Sequence, residues 1–145
     1  MPRPTKFRKV ECFPEECYFV PFGKRDCGEE SIELKVEELE AMRLKDIQEL
    51  SQEECAEKME VSRQTFQNII DSARKKVAAA LTQGKGIRIT GGNYIPKNCV
   101  YSCTGCGEVY EPNQENDIHQ CPKCGCRIVS CCSSDCSQSK WCNCR

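Results

Sequence analysis

Histidine is almost missing from this chain: His119 is the only one among 145 residues, and tryptophan also occurs once. We find no paired nucleophile and general base and no glycine-rich phosphate loop, so no enzyme signature is present. No apolar run reaches the roughly 20 residues that a membrane span needs. The basic N-terminus is not followed by the apolar core of a signal peptide. The net charge is only −1, so the protein is not globally basic in the way of many nucleic-acid binders. These absences predict a cytoplasmic protein without a membrane partner. What the chain has in plenty is cysteine, 15 in all, and in the cytoplasm that number points to metal thiolates or reduced thiols rather than disulfides.

Four of those cysteines have metal-site spacing. Cys103-x2-Cys106 and Cys121-x2-Cys124 are separated by 14 residues, and each pair is followed by glycine, at Gly107 and Gly125. A tight knuckle at each pair turns backbone N–H groups toward the sulfurs, and four thiolates make a closed tetrahedral structural zinc site. Zn2+ is the expected ion, and iron bound by the same knuckles is its competitor. His119 lies beside the second knuckle and reads as a loop residue, with four cysteines already available. Cys126 stays unassigned. Cys131, Cys132, Cys136, Cys142 and Cys144 could hold a second metal or form a redox-reactive tail, and Cys12, Cys17 and Cys27 fit no recognisable spacing.

The informative apolar pattern lies at residues 50–81. A short helix carries Cys55, Ala56 and Met59 on one face, a tight turn follows at Glu60 and Val61, and Ser62 caps a second helix. Phe66, Ile69, Ile70, Ala73, Val77 and Leu81 recur at steps of three and four and make its buried stripe. This reads as a helix-turn-helix, in which the first helix braces a second that lies in the DNA major groove. Cys55 falls where a small apolar core side chain is wanted. Glu60 takes a turn position often held by glycine, which requires a left-handed residue there.

On the second helix, Gln64, Asn68, Asp71 and Lys75 oppose the stripe, with Arg63, Gln67 and Arg74 toward one flank. Gln and Asn can pair bidentately with adenine and Arg with guanine, so Arg63, Gln64, Gln67 and Asn68 are the candidate base contacts, with Ser62 at the helix start. Arg74, Lys75 and Lys76 suit phosphates. Charge is distributed accordingly. Residues 1–10 hold Arg3, Lys6, Arg8 and Lys9 and no acid; residues 26–60 hold 13 acids and 4 bases, −9; residues 61–90 hold 6 bases and one acid, +5. Double-stranded DNA is therefore the expected partner, bound by a homodimer on a two-fold site.

These readings predict a mainly α fold. Residues 1–30 form an irregular basic arm and 31–92 a helix-turn-helix domain with a small β element. Within it, 36–48 is a helix buried through Val36, Leu39, Met42 and Ile47. Ile32 and Leu34 make a short strand, and Ile87 and Ile89 either pair with it or form a wing; pairing is favoured. A linker at 93–100 leads to a zinc-ribbon-like module at 101–128 and a Cys-rich tail at 129–145.

The opening Met-Pro-Arg-Pro, residues 36–46, 50–56, 61–66 and 73–77, and Gly84-Lys-Gly-Ile-Arg-Ile-Thr-Gly-Gly92 together resemble a prokaryotic family of small predicted DNA-binding proteins catalogued as a domain of unknown function. The helix pair is also similar to region 4 of bacterial sigma factors, which implies DNA-reading positions at Ser62, Arg63, Gln64, Gln67 and Asn68. The expected function is sequence-specific DNA binding in transcription regulation, with a structural metal. Two alternatives remain open. One is a metal- or redox-responsive regulator using the extra cysteines. The other is an adaptor that docks on transcription machinery without specific DNA binding, a role that the acidic 26–60 stretch suits.

Overall fold

The computed structural model describes residues 5–23, 30–97, 99–127 and 129–131. Arg3, Cys27, Cys132, Cys136, Cys142 and Cys144 lie outside the described residues, and of the tail cysteines expected to hold a second metal Cys131 alone is described. The chain divides into two compact units, Val10–Gly92 and Met1–Lys9 together with Asn93–Arg145.

The first unit carries three α-helices: α1 (Val36–Met42), α2 (Gln52–Met59) and α3 (Arg63–Gln83). α2 starts at Ser51, whose hydroxyl accepts the Glu54 N–H at 3.2 Å while its own N–H donates to the Glu54 carboxylate at 2.9 Å. This reciprocal cap satisfies two donors that a helix start would otherwise leave unbonded. α2 ends at Glu60, which is left-handed (φ 55°, ψ 44°), and the turn closes with Val61 N–H bonded to the Ala56 carbonyl at 3.0 Å. Ser62 then caps α3, its Oγ accepting the Thr65 N–H at 3.1 Å. A left-handed L-residue costs about 1–2 kcal/mol, and glycine avoids that cost while losing more freedom on folding. Glu60→Gly is therefore expected to raise the unfolding free energy by roughly 0.5–1 kcal/mol, measured by urea denaturation at neutral pH; a loss of stability would show that the Glu60 side chain outweighs its backbone.

The core of this unit is Ala41, Leu44, Cys55, Ala56, Met59, Phe66, Ile69 and Ile70, flanked by Leu50 and Val61. Cys55 is fully buried and burial pushes its thiol pKa up, as befits a core residue. The α3 stripe bends away from the expected one: Ala80 is buried, and Leu81 is 76% exposed. After α1 the chain widens into a π-helical turn, Arg43–Ile47, where Gln48 N–H reaches the Arg43 carbonyl at 3.0 Å. Leu44 continues the side that α1 buries through Glu37, Glu40 and Ala41, whereas Ile47, expected in the core, is carried outward by the wider turn and is 76% exposed.

The mainly α helix-turn-helix fold expected from the sequence is overturned. Among the described residues, eight short strands in three small sheets stand beside the helices, giving an α+β arrangement. β2 (Tyr18–Phe19), β4 (Ile87–Ile89) and β3 (Ile32–Leu34) form a sheet in that order. β3 and β4 are parallel with Ile32 opposite Ile87 and Leu34 opposite Ile89, so the 87–89 strand pairs rather than forming a wing. The first 30 residues are not wholly irregular: β1 (Arg8–Val10) pairs with β5 (Tyr94–Pro96). Strands of two or three residues carry too little alternation to register in a sequence pattern.

In the second unit, β6 (Tyr101–Cys103) pairs antiparallel with β7 (Val109–Tyr110) and β8 (Val129–Cys131). Its core is Phe7, Ile95, Cys99 and Tyr101, with Tyr110, Ile118, Val129 and Cys131 packed against it. Residues 93–100, expected as a linker, thus supply β5 and buried Ile95 and Cys99. Lys6 bridges to Gln114, and Lys9 is buried with its ammonium 3.7 Å from the Glu111 carboxylate, so these two lysines of the basic arm are built into this unit.

Candidate metal centre and nucleic-acid face

Strand β6 ends on Cys103 and delivers it to the first knuckle. There the Gly107 N–H returns to the Cys103 carbonyl at 2.9 Å; in the second knuckle the Gly125 N–H returns to the Cys121 carbonyl at 3.0 Å. Gly107 and Gly125 both have φ +76°, a conformation L side chains rarely adopt, so each knuckle requires its glycine. The two knuckles are copies of one another, and each places its first cysteine inside and its second at the surface.

Their four sulfurs, those of Cys103, Cys106, Cys121 and Cys124, lie within 4.8 Å of one another. Cys103 and Cys124 Sγ are 3.6 Å apart, and Cys106 and Cys121 Sγ are 3.7 Å apart. Four thiolates at about 2.3 Å from one ion have sulfur–sulfur edges of about 3.8 Å, so this cluster can hold a metal ion. Cys103 and Cys124 differ in acidity. Backbone N–H bonds, chiefly from Cys106, bring Cys103 down to about 6. Cys124, against the pull of the Cys126 N–H, is pushed up to about 12 by local desolvation and its thiol neighbours. Sulfurs this close cannot all ionise without a cation among them, a charge that a bound dication would supply. His119 is exposed and outside the cluster, as expected of a loop residue.

In the other unit, α3 presents Arg63, Gln64 and Asn68 at the surface and Gln67 half-buried, all within its first two turns. The Gln64 amide donates to Asn68 Oδ1 at 3.0 Å. Gln67 donates to Asp71 Oδ1 at 2.8 Å and accepts from the Gln52 amide, and Arg63 Nε donates to Gln52 Oε1 at 3.2 Å. Gln52, the first residue of α2, was not singled out from the sequence; its four-residue offset from Ala56 on the bracing helix was the only signal. Ser62 uses its hydroxyl at the helix cap.

The three candidate phosphate contacts separate. Arg74 is clamped on Asp46, Nη2 to Oδ1 at 2.5 Å, and Lys76 on buried Glu38, Nζ to Oε1 at 2.6 Å. Lys75 is exposed, without an ion pair among the described residues. The acidic stretch is also not all surface: Glu37, Glu38 and Glu40 are 4%, 3% and 2% exposed. Glu40 accepts the N–H groups of Glu11 (2.5 Å) and Cys12 (3.3 Å) and the Arg43 guanidinium at 2.5 Å.

A family model described as "Protein of unknown function DUF134" matches residues 1–97. A UPF0251 protein of Clostridium botulinum (strain Loch Maree / Type A3) is 64% identical over 142 residues, covering 98% of this chain and 90% of the relative. A UPF0251 protein of Clostridium tetani (strain Massachusetts / E88) is 61% identical over 142 residues, covering 98% and 97%. These matches extend past the end of the family model, across the span that holds the four cysteines. No solved structure matches the chain.

Proposed function

The chain belongs to the DUF134 family, whose relatives above carry the name UPF0251, and we propose that it binds double-stranded DNA with sequence preference through the outer face of α3, as a transcription regulator whose four-thiolate cluster holds a structural zinc ion. The observation that carries the reading is the row of amide and guanidinium groups, Arg63, Gln64, Gln67 and Asn68, on the first two turns of a 21-residue helix braced from behind by α2. A rigid helix of that length fills the major groove, and these are the side chains whose donors and acceptors match base edges. Lys75 supplies the phosphate contact that Arg74 and Lys76, held by Asp46 and Glu38, do not. One helix covers a short site, so the protein acts as a homodimer on a two-fold sequence.

The reading is of a binding protein rather than an enzyme. The adaptor alternative loses part of its support, because three acids of the 26–60 stretch are inside the fold and do not contribute to an acidic docking surface. The test is selection of bound fragments from a duplex library. The native chain is expected to enrich a shared motif, and Gln64→Ala or Asn68→Ala each to relax one base position at a cost of about 1–3 kcal/mol. Enrichment of no motif by the native chain, or unaltered preference in both variants, would refute it.

A further inference from the structure

Between α2 and α3 runs a chain of polar groups: Arg63 Nε donates to Gln52 Oε1 (3.2 Å), the Gln52 amide donates to Gln67 Oε1, and the Gln67 amide donates to Asp71 Oδ1 (2.8 Å). Its ends differ in kind. A guanidinium can only donate and an ionised carboxylate can only accept, whereas a primary amide can do either when it flips. Arg63 therefore fixes Gln52 with its oxygen toward α3's first residue. That turns the Gln52 NH2 toward Gln67, which must meet it with oxygen, and Asp71 receives the Gln67 NH2. Neither glutamine can flip without opposing two donors or two acceptors. A primary amide has two donor hydrogens and two acceptor lone pairs, so the chain leaves Gln67 one of each. That remainder, one donor and one acceptor in fixed order, is what bidentate pairing with adenine requires.

We infer that Gln52 is a specificity-determining positioning residue: through this polarised chain it presets the amide of Gln67 for one base pair without itself reading a base. The inference rests on the proposed reading of DNA by α3. Locking the amide before encounter removes its rotamer freedom in advance, so a mismatched base cannot be accommodated by a flip. Asp71, an acid on a face meant for DNA, acquires a role here: it costs general affinity and holds the acceptor end of the chain.

The experiment is duplex-library selection with the full chain and its Gln52→Ala, Gln67→Ala, Gln52→Ala/Gln67→Ala and Asp71→Asn variants, together with salt dependence and thermal melting. Gln67→Ala identifies the base pair that Gln67 reads. Gln52→Ala is expected to reduce preference at that same pair by about tenfold, with the salt slope unchanged, and the double variant is expected to be no worse than Gln67→Ala alone. Asp71→Asn leaves the start of α2 intact. It should broaden preference at the same pair, because Asn can donate or accept, while raising affinity for every duplex by removal of a negative charge. Full preference retained in both Gln52→Ala and Asp71→Asn overturns the inference, as does a uniform loss across all sequences in Gln52→Ala. A native chain that selects no motif refutes the DNA reading itself, and the positioning role falls with it.

Discussion

A Cys121→Ser chain is expected to purify without stoichiometric metal and to lose the folded structure of residues 93–131. Cys121 is one of the two buried ligand positions, its sulfur 3.7 Å from that of Cys106 and its N–H bonded to the Cys126 carbonyl at 2.8 Å. Serine offers no thiolate, and three sulfurs leave the ion open to water. The unit has little else to hold it: its core cluster is Phe7, Ile95, Cys99 and Tyr101, and its described strands are two or three residues long. In small domains of this kind, metal binding contributes on the order of 10 kcal/mol of folding free energy. The measurement is elemental analysis with limited proteolysis of both chains. One ion per native chain and protection of 93–131 only in the native protein is the expected result, and visible absorbance separates zinc, which is colourless, from iron. A native chain that carries no metal and resists proteolysis equally well after the substitution would show that the cysteines pack as thiols. The residues 10–92 unit has its own core and should remain folded in either case.

This site was the most legible part of the sequence, because ligand chemistry constrains both residue type and spacing: two Cys-x2-Cys-Gly knuckles at the right separation leave few other readings. The α2 and α3 helices were legible for a related reason. The Ser62 cap and a buried stripe at helical spacing marked them, and Glu60 was recognisable as a left-handed position, whereas the Ser51–Glu54 cap was not singled out. The pairing of 32–34 with 87–89 rested on two matched alternations and is present; its parallel sense was not foreseen. Three kinds of feature escaped. Strands β1, β2 and β5 are too short to show a period. The π-helical turn at Arg43–Ile47 carries Ile47 outside, while Leu44 follows the side that α1 buries through Glu37, Glu40 and Ala41. The burial of the carboxylates at 38 and 40 depends largely on partners distant in sequence, Glu11 and Cys12 for Glu40 beside the neighbouring Arg43, and Lys76 for Glu38. The same long-range pairing removed Lys76 and Arg74 from the simple picture of a helix with three free cations, and it brought Gln52 against Arg63 and Gln67.

Lys76→Met should therefore act on the fold. Its ammonium lies 2.6 Å from Glu38 Oε1, and the Glu38 side chain is 4% exposed. Glu38 also holds the start of α1 by accepting the Lys35 N–H at 3.0 Å. Burial alone would raise the Glu38 pKa, yet hydrogen bonds from Lys76, Ser72 and Lys35 hold it below the ordinary value of 4.5. Removing the cation leaves a buried carboxylate without its counter-ion, which costs about 3–5 kcal/mol at neutral pH. A folded-state pKa that is depressed contributes stability above the unfolded value, near 4.5, and loses it as pH falls through the folded value. In the variant, burial raises the Glu38 pKa instead, so its carboxyl becomes neutral at a higher pH than in the native chain. The stability gap between the two proteins is therefore expected to be widest at neutral pH and to narrow on acidification. Glu38→Gln/Lys76→Met, with no charge to bury, should recover much of the loss. Arg74→Ala is the contrast: its pair with Asp46 is 48% and 43% exposed, and solvent reduces its worth to about 1 kcal/mol or less. Urea denaturation of the four proteins at pH 7 and pH 4.5 decides the matter. Equal costs for Lys76→Met and Arg74→Ala, or a gap that does not change with pH, would mean that Glu38 and Lys76 do not form a buried pair. The expected result would leave exposed Lys75 as the α3 cation available to phosphate, and would make any weakening of DNA binding in Lys76→Met a consequence of the fold.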